Sequence, residues 1–241
     1  MVIPNVSIFE SLKWIEDGKH PIDWNGPTSR IFRKFHHKDL ERPIIDHFEC
    51  VARRHRNRIA VTDSDTSLSF GEVWDGLSGL AEIIAAETKP GDLIGISLPT
   101  CSLFPIAILA CLAAGRPFVA LDAHYPADWL GHVLDDARPA LIIGREHVLR
   151  GIESGARKGR HGWRPAKLDV DEPACVLFTS GSTGRPKGIV NSQRGLLQRV
   201  AQSINAAQSG GNTLALCQSS RQQAHTRRCC RRRMQSPLLH A

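Results

Sequence analysis

The sequence lacks a hydrophobic run long enough to cross a membrane. Its longest apolar stretch, residues 103–114, contains Pro105 and is shorter than the roughly eighteen residues that a spanning helix needs. The N-terminus has no basic segment followed by an apolar one, so we expect no secretory signal peptide. The seven cysteines are an odd number at irregular spacing, which is typical of reduced thiols. These absences predict a cytoplasmic protein that does not bind membranes.

Acidic residues are missing from the C-terminal end. Residues 221–241 contain six arginines and no Asp or Glu, although the whole chain of 241 residues has a net charge of only +7. The rest of the chain is therefore almost neutral, and its basicity gives no reason to expect nucleic acid as a partner. Apolar residues make up 41% of the chain and charged residues 23%, which is an ordinary composition for a globular protein with a sizeable core.

Helical and strand patterns alternate along most of the chain. Apolar spacing predicts helices that begin near residues 43, 70, 102 and 126, a further helix over 196–207, and strands at 59–62, 67–70, 93–98, 117–121, 140–143 and 174–178. Ser69 and Glu72 have the spacing of a capping box at one helix start. Residues 151–173 predict a surface connection, and residues 213–217 the beginning of another strand. The alternation indicates an α/β fold with layered, mainly parallel sheets and crossover helices.

A segment rich in glycine and hydroxyl groups follows the strand at 174–178. Its glycines, Gly181, Gly184 and Gly188, can adopt positive φ and carry no Cβ, so successive backbone N–H groups can turn towards one anion. In a parallel sheet, ligands bind beyond the carboxyl ends of the strands, which is where this segment begins. The position and the composition both indicate an anion-binding loop.

Hydroxyl and ammonium groups add further donors to this segment. Ser180, Ser182 and Thr183 supply hydroxyls, and Lys187 supplies a mobile positive charge that can follow a phosphate. Pro186 stiffens the end of the loop. Together these groups indicate that the anion is a polyphosphate.

Three other interpretations of the segment compete. A Gly/Ser-rich stretch is often a flexible linker, but a linker needs neither a preceding strand nor an ordered Pro-Lys-Gly sequence after it. A Walker-type loop has Ser or Thr after its lysine and four residues between its glycines, whereas Gly188 follows Lys187 and two residues separate Gly181 from Gly184. The Gly-Ser-Thr-Gly sequence also differs from the Gly-x-Ser-x-Gly nucleophile elbow.

Residues 179–188 resemble the phosphate-binding signature of the adenylate-forming enzymes at all ten positions. That superfamily includes acyl-CoA synthetases, luciferases and the adenylation domains of nonribosomal peptide synthetases. The resemblance implies binding of ATP with Mg²⁺ and attack of a carboxylate on the α-phosphate, which forms an acyl-adenylate and pyrophosphate. It assigns the nucleotide to Thr179, Ser180, Gly181, Ser182, Thr183, Gly184, Lys187 and Gly188, with Lys187 as the catalytic residue and no side chain assigned to the metal.

Further stretches resemble the amino-acid-activating adenylation domains. They are residues 67–72, 112–115, 118–122, 125–126 and 134–139, and they favour the peptide-synthetase branch over acyl-CoA synthetases. Two residues depart from the pattern: Trp129 replaces the usual Arg, and Gln193 falls near the usual His. The resemblance implies an amino acid as the substrate and, in a complete relative, a carrier protein as a partner.

The resemblance divides the chain into three parts. Residues 1–43 are predicted to be an irregular lead-in, residues 44–217 the N-terminal part of an adenylation domain, and residues 218–241 an Arg-rich tail outside the family pattern. The tail could bind a polyanion, or could bind zinc through His225, Cys229 and Cys230. A third hypothesis, which we favour, is a shift of reading frame near residue 218.

The expected activity depends on which catalytic elements of the family can be located in the sequence. The resemblance implies that catalysis also needs an aromatic-acidic motif, an Asp for the ribose, a hinge and a C-terminal domain with its own Lys. None of these can be placed in this sequence. We therefore expect an incomplete adenylation domain with little or no activity by itself. An acyl-CoA synthetase-type fragment and a non-catalytic remnant or interaction protein are the alternatives.

Overall fold

The computed structural model describes residues 35–122, 124–158, 163–180 and 185–207. A short 3-10 helix spans His37–Glu41. The α-helices of the described ranges are α1 (Ile44–Arg54), α2 (Phe70–Glu87), α3 (Leu103–Ala113), α4 (Ala127–Ala137), α5 (Arg145–Lys158) and α6 (Gln193–Ala207). The strands of these ranges are β1 (Ile59–Thr62), β2 (Ser67–Ser69), β3 (Ile94–Ile96), β4 (Phe118–Ala120), β5 (Leu141–Ile143), β6 (Pro173–Ser180) and β7 (Pro186–Ser192).

A five-stranded sheet forms the centre of the fold. Its strand order is β5-β3-β4-β6-β7, and the first four strands are parallel whereas β7 is antiparallel to β6. β1 and β2 form a separate antiparallel pair. Since helices connect the parallel strands, the predicted α/β fold with a mainly parallel sheet and crossover helices is confirmed.

Local sequence signals determine several helix ends as expected. The capping box at the start of α2 is present, because the Glu72 N–H donates to Ser69 Oγ at 3.2 Å and the Ser69 N–H donates to Glu72 Oε2 at 2.7 Å. Gly115, with φ of 73°, follows the end of α3. A left-handed residue is most easily supplied by glycine, so its position after α3 agrees with the predicted helix stop.

The larger apolar cluster lies on one face of the sheet. It receives side chains from every α-helix of the described ranges except α4, and Leu77, Leu80 and Ile106 in it are fully inaccessible to solvent. The buried Arg116 joins the ends of two of these helices, since its guanidinium donates to the carbonyl of Ala114 at 2.7 Å and to that of Thr88 at 2.9 Å. A buried charge is tolerated there because carbonyl oxygens satisfy its donors.

Glycines allow α2 and α5 to pack with their backbones in contact. A Cβ added at Gly79 would lie 2.1 Å from the carbonyl oxygen of Gly151, and one added at Gly155 would lie 1.9 Å from that of Asp75. Real Cβ atoms do not approach so closely. The helices therefore hold this separation only because both positions lack a side chain.

Several sequence predictions require correction or lie outside the described residues. Residues 151–158 belong to α5 and not to the predicted surface connection, and the lead-in contains a 3-10 helix at His37–Glu41. Strand β7 was not predicted. The expected strand at 213–217 and the tail at 218–241 lie outside the described residues. No helix in the described part of the chain is long and apolar enough to cross a membrane.

Candidate functional site

The segment predicted to bind an anion connects β6 to β7. Residues 181–184 lie outside the described residues, but the strands on both sides of them are described. Ser180, the last residue of β6, is paired with Pro186, the first residue of β7. Because β6 runs parallel to β4, β3 and β5, the connection leaves the sheet on the side where the parallel strands have their carboxyl ends. The connection therefore leaves the sheet at a strand end, as predicted. The predicted loop at 179–188 was too long, because Thr179 and Ser180 belong to β6 and residues 186–188 belong to β7.

Thr179 and Lys187 face each other across the last part of the hairpin. They are direct partners in the antiparallel register and both are exposed. Side chains directly opposite each other project from the same face of a sheet, so the hydroxyl and the ammonium group are available on one side. Lys187 makes no ion pair with any other residue of the described ranges. Its charge is thus available to a ligand.

Gly188 lies in β7 and does not have the expected positive φ. The described glycines with positive φ are Gly91 and Gly115. Gly188 is instead paired with Phe178, and a Cβ added to it would lie 3.0 Å from Cζ of that ring and 3.1 Å from a methyl group of Val176. The expectation that Gly188 turns the backbone is wrong. The residue is needed because the Phe178 ring occupies the space of its missing side chain.

A tight turn follows β4 at the same edge of the sheet. The carboxylate oxygen Oδ1 of Asp122 accepts hydrogen bonds from the backbone N–H of His124 at 3.0 Å and from its Nδ1 at 2.6 Å. The N–H of Tyr125 donates to the Asp122 carbonyl at 3.0 Å. These bonds hold the chain in the turn that leads to α4. Asp122 thereby has a structural role beside the hairpin.

Three aromatic rings connect this turn to the hairpin. The ring of Tyr125 stacks on that of Trp129 with centroids 4.2 Å apart, and Trp129 meets Phe178 edge-on at 6.4 Å. Sequence reasoning did not connect these residues. Tyr125 and Trp129 are four positions apart across the start of α4, which is a recognisable signal, but the contact with Phe178 joins parts of the chain about fifty residues apart and has no local signal.

Gln193 is buried and reaches the start of α1. Its side chain is 1% exposed, and its Oε1 accepts the N–H of Ile44 at 3.0 Å. Its Nε2 has no hydrogen-bond partner in the described part of the chain. The residue that departs from the family's usual His therefore supports the junction of α6 and α1 through the first N–H of α1.

Arg194 fixes the start of α6 to the segment before β6. Its guanidinium makes two bonds to the Asp171 carboxylate, at 2.7 and 3.1 Å, and a further short bond to Glu41. The bonds from Arg194 hold the pKa of Asp171 below its ordinary value. Since β7 leads directly into α6, this ion pair helps to place the far end of the hairpin.

Two other kinds of site can be assessed from the described side chains. No group of three or more His, Cys, Asp or Glu residues comes together there, so these residues do not form a protein cage for a metal. Cys175 lies in β6, and burial raises the pKa of its thiol to about 11. It is therefore protonated at neutral pH and is suited to packing, because thiolates are the nucleophilic form.

Comparison with known proteins places this geometry in a family. The model of the AMP-binding enzyme family matches residues 48–220. Glycine betaine reductase ATRR of Emericella nidulans is 34% identical over 171 residues, which are 65% of this chain and 14% of that protein. The dimodular nonribosomal peptide synthase of Bacillus subtilis is 28% identical over 170 residues, which are 64% of this chain and 7% of that protein.

A solved structure shows the same fold. The N-terminal subdomain of Klebsiella oxytoca NpsA, in complex with 3-hydroxyanthranilyl-AMSN, matches with a TM-score of 0.59 and 23% identity, over 77% of this chain and 56% of that chain. This chain thus spans about half of the solved relative and a small part of the two curated proteins. Because the family model covers more than half of the sequence, the chain belongs to the AMP-binding enzymes.

Proposed function

We propose that this chain carries the phosphate-binding part of an enzyme that uses ATP to activate a carboxylic acid, specifically an amino acid, as an acyl-adenylate. One observation carries the proposal: in a chain of the AMP-binding family, the β6–β7 hairpin directs Thr179 and Lys187 beyond the carboxyl edge of a parallel sheet. Family membership supports adenylate formation in general. The amino-acid substrate rests on the similarity to a nonribosomal peptide synthase.

The proposed chemistry requires neutralisation of negative charge. A carboxylate oxygen attacks the α-phosphorus of ATP, the bond from that phosphorus to the bridging oxygen breaks, and pyrophosphate leaves with the electron pair. Charge grows on the pyrophosphate during this step, and a nearby ammonium group stabilises that charge in the transition state. Lys187 is the catalytic residue in this proposal. The remaining donors that hold the phosphates are Thr179, Ser180, Gly181, Ser182, Thr183, Gly184 and Gly188.

Mg²⁺ is the metal that the proposed reaction implies. Magnesium commonly keeps several waters and binds through substrate phosphates with one or two protein oxygens. The described residues hold no cluster of three or more metal-binding side chains, which fits an ion that arrives with the nucleotide. When bound, it would spread the negative charge of the phosphates. Thr179 and Lys187 would then orient the same phosphates from the protein side.

The proposal also includes a protein partner and a location in the cell. In the peptide-synthetase branch, the activated amino acid is passed to a carrier protein, so we propose a carrier protein as the partner of the complete enzyme. The four described cysteines, Cys50, Cys101, Cys111 and Cys175, are free thiols. Free thiols agree with a reducing compartment, which supports the cytoplasm as the location.

Turnover by the 241-residue polypeptide is expected to be undetectable. The groups that would hold the ribose and the reacting carboxylate cannot be identified in its sequence. Without them the carboxylate is not held for in-line attack, and positioning supplies much of the rate enhancement of such reactions. Amino-acid-dependent exchange of labelled pyrophosphate into ATP, tested with all twenty amino acids, measures this directly. Exchange above the background without enzyme would show that the polypeptide is active and would overturn this part of the proposal.

Binding of ATP provides the test of the assigned lysine. We expect Lys187→Ala to weaken ATP binding about 10- to 100-fold in titration calorimetry, because it removes a charge-assisted contact to phosphate. Lys89→Ala is the matched control, since Lys89 is also exposed but lies in the turn before β3, at the opposite edge of the sheet. The control should bind ATP as the wild type does. Equal affinities for the wild type and Lys187→Ala would remove the catalytic role from Lys187, and no binding by the wild type would favour the non-catalytic alternative.

A further inference from the structure

The end of the β6–β7 hairpin extends beyond its neighbouring strand. In the register of β4 with β6, Val119 is the partner of Val176, and β4 ends one residue later at Ala120. Residues 178–180 of β6 therefore lie past the end of β4. A hairpin that projects in this way has no strand beside it to limit its bending.

The other side of the hairpin is also without support from a strand. β7 is the last strand of the sheet, and no described strand pairs with its outer edge. Ile189 and Val190 on it are 51% and 62% exposed. An isolated two-stranded hairpin is only marginally stable in water, so a projecting end needs contacts from another element to keep a single direction.

Aromatic side chains from α4 and the preceding turn supply these contacts. Trp129 packs edge-on against Phe178, the first β6 residue past the end of β4, and Tyr125 stacks on Trp129. The Phe178 ring in turn fills the space above Gly188 on β7. We call Tyr125, Trp129 and Phe178 the aromatic brace. It connects α4 to both strands of the hairpin.

The brace lies next to the residues proposed to bind phosphate. Phe178 immediately precedes Thr179, and Gly188 immediately follows Lys187. Phe178 and Gly188 form one cross-strand pair, and Thr179 and Lys187 form the next. Since neighbouring pairs are joined by one peptide bond on each strand, the direction of the second pair follows that of the first. A small rotation of Phe178 would redirect both Thr179 and Lys187.

We propose that Trp129 is a positioning residue, which acts through Phe178 to direct Thr179 and Lys187 towards the phosphates of the nucleotide. This inference rests on the proposed function of the hairpin. Trp129 stands where the resemblance predicts Arg, so an aromatic contact performs the positioning in this chain. Edge-to-face and offset-stacked arrangements are the favoured geometries of aromatic pairs, and both occur in the brace.

The affinity for ATP, compared between the wild type and variants of the aromatic brace, tests the positioning role. We expect Trp129→Ala to bind ATP about tenfold more weakly in titration calorimetry, because a misdirected ammonium group loses most of a charge-assisted contact. Trp129→Phe keeps a ring against Phe178 and should recover affinity to within about threefold of the wild type. Tyr125→Ala leaves Trp129 in place and should weaken ATP binding less than Trp129→Ala does. It replaces Trp129→Ala as the test variant if Trp129→Ala does not fold. Trp163→Phe is the control, because Trp163 packs on Trp74 in the other apolar cluster.

A double-mutant cycle distinguishes positioning from general loss of stability. If Trp129 acts by directing Lys187, then Trp129→Ala should cost clearly less affinity in the Lys187→Ala background than in the wild type. A variant that only loses stability would show the same fold-change in both backgrounds. Equal fold-changes would therefore overturn the positioning role.

Hydrogen–deuterium exchange of the ligand-free protein tests whether the aromatic brace restrains the hairpin. Trp129→Ala should accelerate exchange of the amides of Thr179 and Lys187 while leaving the amides of α2 unchanged. Unchanged exchange in the hairpin would overturn the brace. If the wild type binds ATP and Trp129→Ala binds it equally well, only the positioning role fails. If the wild type does not bind ATP, the proposed function fails and the positioning of phosphate contacts fails with it.

Discussion

The two faces of the five-stranded sheet are covered very differently. On one face, side chains of α1, α2, α3, α5 and α6 form the larger apolar cluster. On the other face, Val119, Leu121 and Val133 form a small buried cluster, and α4 is the helix of the described ranges that packs there. The partly buried rings of Trp129 and Phe178 complete this second cluster. The contrast fits a first face that supplies stability and a second face that carries the proposed positioning of the hairpin.

Neighbouring side chains of β4 belong to different clusters. Phe118 belongs to the larger cluster and Val119 to the smaller one. Successive residues of a strand point to opposite faces, so β4 contributes to both clusters, and β6 does the same with Cys175 in the larger and Val176 in the smaller. A substitution on one face can therefore change stability while a substitution one residue away changes the hairpin. Variants that affect one face test whether the two roles are separable.

The largest effect is expected where α2 and α5 touch on the first face. Gly79→Ala places a Cβ 2.1 Å from the carbonyl oxygen of Gly151, so the helices must separate. We expect a loss of about 2–3 kcal/mol in the free energy of unfolding, in the range of overpacked cores, measured by urea denaturation. The matched control is Gly131→Ala in α4, where nothing lies within 4 Å of the added Cβ. That variant should gain about 0.5–1 kcal/mol, since alanine is the better helix former. A destabilised Gly131→Ala, or an unaffected Gly79→Ala, would contradict the contrast between the faces.

Lowering the pH should reduce the stability of the folded protein through Asp63, which binds the segment just before α3 on the first face. Its carboxylate accepts the N–H of Ser102 at 2.7 Å, just before α3, and the N–H groups of Asp65 and Thr66 in its own turn. These bonds, with that from Ser102 the largest cause, hold the pKa of Asp63 well below its ordinary value. A depressed pKa in the folded state contributes stability above the ordinary value of about 4, and this contribution is lost as the pH falls below that value.

Asp63→Asn tests this pH dependence. The variant should be less stable than the wild type at pH 7, and the difference should shrink as the pH falls from about 4 to about 2. In that range the unfolded state takes up a proton at Asp63 while the folded state still holds the carboxylate ionised. Urea midpoints at several pH values measure the difference. Asp136→Asn on α4 is the control, because Asp136 is exposed and its carboxylate makes no hydrogen bond or ion pair within the described ranges. A stability difference that stays constant down to pH 2 would refute the role of the Asp63 carboxylate.

The smallest effect on stability is expected at the outer edge of β7. Val190 is 62% exposed, so Val190→Lys should change the free energy of unfolding by less than about 0.5 kcal/mol. A lysine on an edge strand opposes pairing with a second chain, and we therefore expect less self-association in light scattering at high concentration. Leu149→Lys on α5 makes the same charge change at an exposed apolar helical position and should have less effect on association. Equal association of the two variants would show that this edge does not self-associate.

The sequence was sufficient for the elements whose ends depend on nearby residues. The capping box of Ser69 and Glu72 and the helix stop at Gly115 were predicted correctly, and the strand predicted at 174–178 is present but extends to Ser180. Each depends on hydrogen bonds or dihedral angles within a few residues. The identity of the anion-binding segment also came from consecutive residues. Its assigned ligands remain predictions, because residues 181–184 lie outside the described structure.

The elements that were missed depend on distant contacts. Strand β7 contains Lys187 and Gly188, which have low strand propensity, and it forms because β6 offers it a partner. Helix α5 contains Gly151 and Gly155, which disfavour helices locally but permit its close contact with α2. In both cases the intrinsic preference of a residue is outweighed by packing against another element.

The sequence by itself determined the α/β class, most helices and strands, and the place at the end of β6 of the segment that it predicts to bind an anion, because these are encoded by periodicity and by neighbouring residues. Only the tertiary structure decided that Gly188 accommodates the Phe178 ring, that Gln193 binds the first N–H of α1 and that Trp129 reaches the hairpin. Those contacts join residues far apart in the chain, and no local preference can specify which side chains meet once the strands and helices pack.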